Sequence, residues 1–255
     1  VRTDFKPWAN NTTGPDLIWG FNSSTPIAKA SFDVNPTPYY RKIGSFTKYN
    51  SSNNVIQQAK ESDINTSFLW DYNHKYPVAE VVNASVDDIA YSSFEAEGLG
   101  NFTAIAGTQR NTVDYRTGKQ SYSLSSGAIS KSGLVLSTKY TISMWAKTGA
   151  SISINSGPSL VPTSSMINGW QYYETVVANS ATVTISGAAV IDDLRLYPSV
   201  AQMKTYTYEP LVGVTSQTDA NNQTNFFEYD ALGRLSVVKD DNGNIIKTYQ
   251  YNYKQ

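Results

Sequence analysis

The chain has 255 residues, with 20 basic and 21 acidic side chains, one histidine and no cysteine. A near-neutral charge gives no field to draw in nucleic acid or an anionic membrane, and without cysteine there are no disulfide staples, thiolate zinc sites or cysteine nucleophiles. The single imidazole, His74, leaves little room for triads or common zinc hydrolase sites, and no apolar run reaches membrane-spanning length, so no nucleic-acid partner and no membrane span are expected.

Val1-Arg2 opens without a methionine or a signal-peptide core, as expected of a fragment or a processed chain. Eighteen tyrosines among many Ser, Thr and Asn residues give the texture of an extracellular β protein. The first ninety or so residues contain a duplication. Trp19-Gly-Phe21-Asn22 through Pro26-Ile27-Ala28 aligns with Trp70-Asp-Tyr72-Asn73 through Pro77-Val78-Ala79 at a constant offset of 51 positions. Between the copies, Phe46 to Gln57 alternates and turns as an Asn-rich hairpin, and a second hairpin runs through Asp63 and Asn65 into Ser67-Phe68-Leu69-Trp70. A tryptophan at the same place in two repeats is expected to plug the same core slot, although an indole face also suits a ligand platform. His74 is expected in a loop, packed on Tyr76 and Pro77.

After Asp87-Asp88 the pattern changes to that of a sandwich. Tyr140 to Lys147, Ala150 to Asn155 and Thr182 to Ile185 alternate, with Gly- and Ser-rich breaks at short spacing. Tyr140, Ile142 and Met144 share one face of a strand, and Trp145 lies on the other with Thr141 and Ser143. A tryptophan on a polar face suits either packing under loops or a stacking platform that Trp170, Tyr172 and Tyr173 extend. Period-2 counting puts Asp192 on the face of Leu194 and Leu196, where a carboxylate costs several kcal/mol, order of magnitude, unless donors or a cation compensate it.

From about residue 200 a repeat is legible. Tyr208 to Tyr229 and Asp219 to Asp240 are each 21 positions, a period that marks an array. Asp230 through Gly233 reads as a tight turn, Asn242-Gly243 marks a hairpin, Leu235 and Val237 share a face, and so do Ile245, Tyr249, Tyr251 and Tyr253.

These residues carry two resemblances. Tyr229-Asp230-Ala231-Leu232-Gly233-Arg234-Leu235, followed by Asp240-Asp241-Asn242-Gly243, Tyr249 and Tyr251, resembles a YD repeat of the Rhs type. The Leu69-Trp70-x-Tyr72-Asn73-x-x-Tyr76-Pro77-Val78-Ala79 stretch resembles Rhs-like tracts of Bacteroidetes surface proteins. Ser93-Phe94-Glu95, Gly118 to Leu124, Tyr140 to Lys147, Gly169-Trp170-Gln171 and Ile191 to Leu196 occur in the order of carbohydrate-binding modules with a galactose-binding-like jelly roll. Together they imply an all-β chain: Rhs-like strand repeats over 1–90, a carbohydrate-binding-module-like β-sandwich over 91–199 and YD repeats over 200–255. The module resemblance implies a structural Ca²⁺ held by Glu95 and Asp192, with Asp193 as alternate and the Lys119 to Ser121 backbone as helper. Hard oxygen ligands suit that ion.

The function that follows is non-enzymatic, since no motif pairs Glu95, Glu97, Asp114, Glu174 and Asp192 into a catalytic couple. The chain is expected to be a scaffold or interaction fragment of a secreted or cell-surface bacterial protein. Its partners would be neighbouring YD repeats of the parent chain, with glycan or protein at the cell surface as further candidates. One alternative is a glycan-binding module using Trp145, Trp170 and Tyr172. Another is the shell segment of a polymorphic toxin whose toxin domain lies outside this chain.

Overall fold

The computed structural model describes residues 44–60, 63–104 and 110–252. The expected Trp19 to Ala28 copy and Tyr253 lie outside the described residues. The fold is all-β, with two short 3-10 turns, Val86–Asp88 and Leu124–Ser126, and no α-helix among the described residues. None of the helices described is long and apolar enough to cross a membrane.

Nine antiparallel strands form one long sheet. In chain order they are β1 (Gly44–Tyr49), β2 (Val55–Lys60), β3 (Asn65–Asp71) and β4 (Tyr76–Val82), then β15 (Gln202–Glu209), β16 (Gly213–Thr218), β17 (Thr224–Tyr229), β18 (Leu235–Lys239) and β19 (Ile245–Thr248). Their spatial order is their chain order, and β4 pairs directly with β15 through Val82↔Gln202, Val81↔Met203 and Ala79↔Thr205. The intervening residues therefore occupy the place of a hairpin turn, and the Asn83 side chain donates to the Val200 carbonyl where the chain leaves and returns.

One turn design recurs four times. Asn50, Asp219, Asp230 and Asp240 each accept the backbone N–H groups two and four residues on with the side-chain Oδ1. In each, the carbonyl of the same residue accepts the N–H of the residue three on. That fourth residue is left-handed (Asn53, Asn222, Gly233, Gly243), as in a type I turn closed by a bulge. The Asn242-Gly243 signal is thus the second half of a four-residue Asp240 turn, since in this pair only Gly243 has a positive φ.

Aromatic side chains fasten neighbouring strands at the opposite end from the Asp219 and Asp240 turns. Trp70 Nε1 donates to the Val55 carbonyl (2.9 Å), Tyr208 to Pro77 (2.7 Å), Tyr229 to Val214 (2.8 Å) and Tyr251 to Leu235 (2.8 Å). The 21-residue tyrosine spacing of the sequence is this bolt, repeated. Trp70 is half-buried on the open face rather than plugging a core, because its indole N–H must reach a backbone acceptor. His74 is exposed in a left-handed run with Tyr72 and Asn73, and its carbonyl accepts the Asn54 side chain.

The inserted residues form two further sheets. One holds β12 (Trp170–Val177), β10 (Tyr140–Lys147), β14 (Val190–Pro198), β8 (Ser121–Ser123) and β7 (Arg110–Asn111), with β5 (Ala90–Ser92) also on β14. The other holds β11 (Ser151–Ile154), β13 (Thr182–Ala188), β9 (Ile129–Ser132) and β6 (Thr103–Ala104). Between them Ile142, Met144, Ile191, Leu194 and Leu196 pack with Ile129, Ile152, Val183 and Ile185 into one buried core. The outward face of the first sheet meets the long sheet, where Tyr91 and Tyr197 join Leu69, Val81 and Met203 in a second core.

β14 corrects the parity reading. Asp193 is left-handed (φ 53°) and the β10–β14 register slips there, with Ser143↔Arg195 and then Trp145↔Asp192. This bulge puts Ile191 and Leu194 both in the sandwich core and turns Asp192 to the opposite face, beside Trp145. Asp192 is buried all the same, because that face lies under the long sheet.

The bolt predicts a coupled pair. A Cβ on Gly213 would lie 2.4 Å from the Tyr229 hydroxyl. Tyr229→Phe should cost about 1 kcal/mol in urea unfolding, and Gly213→Ala should cost more in the native background than in Tyr229→Phe. Equal costs in both backgrounds would show that the hydroxyl is not held there.

Candidate functional site

The expected site residues gather where the sandwich meets the long sheet, around the loop from Asp114 to Gln120. Asp192 is fully buried and its carboxylate is filled by donors. Oδ2 accepts the N–H groups of Arg116 and Thr117, both at 2.8 Å, and Oδ1 accepts the Thr117 hydroxyl (3.2 Å) and the Asp193 N–H (2.6 Å). Glu95, from the segment after β5, reaches the next turn of that loop with its carboxylate and accepts backbone N–H groups of Lys119 and Gln120. Gly118 is left-handed (φ 62°), and a Cβ there would lie 2.1 Å from the Glu95 carboxyl carbon, so both the turn and the acid require glycine. Burial pushes the Asp192 carboxyl up to about 8 and that of Glu95 to about 7, against the pull of the amides.

Asp193 forms a buried ion pair with Arg195 (2.9 Å, side chains 2% and 1% exposed). Arg195 then crosses to the long sheet, donating to the Thr205 hydroxyl (2.6 Å) and the Asn222 side chain (3.0 Å). Glu95 and Asp192 are thus held by amides and Asp193 by a guanidinium. Among the described residues no group of three or more His, Asp or Glu side chains converges as metal ligands. The donors that fill Asp192 compete for the same lone pairs as a cation, whereas Ca²⁺ takes a shell of six to eight oxygens. In this structure amide and hydroxyl donors hold Asp192 and a guanidinium holds Asp193, so Ca²⁺ binding by these acids would require those bonds to be exchanged.

The aromatic residues are placed by the same joint. Trp145 is 3% exposed, with the Arg116 guanidinium 3.6 Å over its ring and Tyr172 packed at 5.4 Å. Arg116 reaches on to Phe226 of β17 (5.8 Å), to the Thr224 hydroxyl and to an ion pair with Asp241, in the Asp240 turn. Trp170 is also 3% exposed, with Lys147 over its ring. Half-buried Tyr172 donates to Glu174. A sugar platform needs an open ring face, and these two indoles have none. Trp145 and Trp170, expected as stacking platforms, are instead closed by packing, and Tyr172 is half-buried beside Trp145.

Sequence reasoning missed Arg116. Its role depends on Trp145, Phe226 and Asp241, all remote in the chain; the local cue was an arginine two residues before the turn glycine Gly118. Lys119 likewise pairs with Glu209 of β15. Comparison with known proteins adds no constraint: no family model matches the chain, and no curated protein does either.

The amide-bound arrangement has a measurable consequence. Glu95 has a folded pKa above its unfolded value, so its contribution is fully present below about pH 4.5 and is lost as pH rises through about 7. The melting temperature should fall across that window and be indifferent to EDTA, and Glu95→Gln should flatten the fall. A melting temperature that drops on chelation, and rises with pH before it, would assign an ion to these acids.

Proposed function

We propose that the chain is a non-catalytic scaffold segment of a secreted or cell-surface protein of the Rhs/YD-repeat type, with the sandwich inserted into a strand array as a buttress. The observation that carries this reading is the repeated unit itself. Asx turn, bolt and strand recur along one sheet, and within it each strand pairs with its neighbours in chain order. Its acids support the same reading, since Asp192 and Asp193 are engaged in buried structural bonds and Asp241 in a partly buried one.

The partners that suit this architecture are further repeats of the parent chain. Among the described residues β1 and β19 each pair on one side only, and β19 is exposed throughout, with Ile245 and Ile246 60% and 56% exposed. An edge of that kind accepts another strand. Appending a second copy of residues 224–248 should protect the outward β19 amides from hydrogen exchange. Unchanged exchange in an otherwise folded product would count against the array reading.

A further inference from the structure

Several rings of the molecule are capped by its own cations: Arg116 lies 3.6 Å over Trp145, Lys147 5.6 Å over Trp170 and, in the long sheet itself, Arg234 4.4 Å over Tyr251. Among the described residues no cation and no second ring lies over Trp70. Its indole is fixed by the bond to Val55, yet its face is left to a groove of about 300 Å³.

Phe68 and Trp70 of β3 and Tyr206 and Tyr208 of β15 line that groove, with Gln58 of β2 and Glu80 of β4. The rings are preorganised. Tyr208 is anchored through its hydroxyl and backed by Tyr76, stacked at 4.8 Å, and Tyr206 is tilted 39° from Tyr208 with centroids 6.5 Å apart. The one charge in the lining is Glu80, which stands across from Phe68 in the ladder. Lys204 faces Glu80 on β15 but forms no ion pair with it and does not line the groove. Burial, and then the nearby Glu80 carboxylate, push the Tyr206 phenol up.

Electron-rich ring faces together with a carboxylate that forms no ion pair among the described residues favour a cation, and one whose desolvation is cheap. A quaternary ammonium meets both conditions: its charge is spread over methyl groups that pack on rings, and it has no N–H donors to leave unsatisfied. We propose that the Phe68–Trp70–Tyr206–Tyr208 groove binds an organic cation of the quaternary ammonium class, methyl groups against the rings and charge toward Glu80. This goes beyond the scaffold reading, which stands or falls separately.

The test is calorimetric titration of the full chain with choline and with its neutral isostere, in which a tert-butyl group replaces trimethylammonium. Choline should bind at least about tenfold more tightly than the isostere, and Trp70→Ala should abolish binding. Because Trp70→Ala also removes a strand bolt, Glu80→Gln is the second variant. It should weaken choline about tenfold and leave the isostere unchanged, with the melting temperature retained. Equal affinity for the two ligands, no saturable choline binding by the folded chain, or tighter binding of a neutral hexose than of choline would each overturn the proposal.

Discussion

The pairing of β4 with β15 is the constraint on which the rest of the molecule depends. It joins strands whose ends, at Asn83 and Val200, lie 117 positions apart, and closing so long a loop is entropically unfavourable until something inside it folds. The sandwich supplies that order. It has its own apolar core, so it brings the two ends of the insertion together as a consequence of folding, and the ladder then runs through without a break. The strand array in turn covers the outer face of the middle sheet, which otherwise would present Trp145, Tyr91 and Tyr197 to water.

What holds the layers together is unusually polar for a buried joint. On the array side, Thr207 bonds Ser216 and Thr218 bonds Thr224 as cross-strand hydroxyl pairs, each buried. From the sandwich side, Arg195 and Arg116 reach into that layer, each balanced by a buried or nearly buried aspartate. Such pairs contribute little net stability against an apolar alternative, but losing one partner costs about 3–5 kcal/mol. The joint is therefore selective about register: a slip of the array by one residue would part Arg116 from Asp241 and Arg195 from Thr205 and Asn222, while the Arg195–Asp193 pair within β14 would stay.

The repeat units were legible in the sequence because their determinants are local. An Asx side chain must reach N–H groups two and four residues on, a left-handed position favours Gly or Asn, and a tyrosine must arrive at the strand end at fixed spacing. All of these are visible within one repeat. The alternation of β10 was also legible, down to Trp145 facing away from Ile142 and Met144. Asp192 was not, because one left-handed residue, Asp193, shifts the parity of everything before it, and an aspartate in that conformation leaves little trace in composition. Nor were the covers over Trp145 and Trp170, since the residues that close those faces come from a loop and a strand far along the chain. Trp70 was misassigned to a core for a related reason: its N–H is satisfied by a neighbouring strand, which lets the ring stay at the surface.

Because the chain contains no cysteine, the continuity of the sheet can be measured directly with an introduced pair. Val82→Cys with Gln202→Cys places thiols on ladder partners across the insertion, and Val82→Cys with Thr207→Cys is a displaced control on the same two strands. Under mild oxidation of the folded chain, the first pair should close nearly completely and the second should remain reduced. Failure of the first pair to close, or equal closure of both, would contradict a single sheet running through the β4–β15 joint.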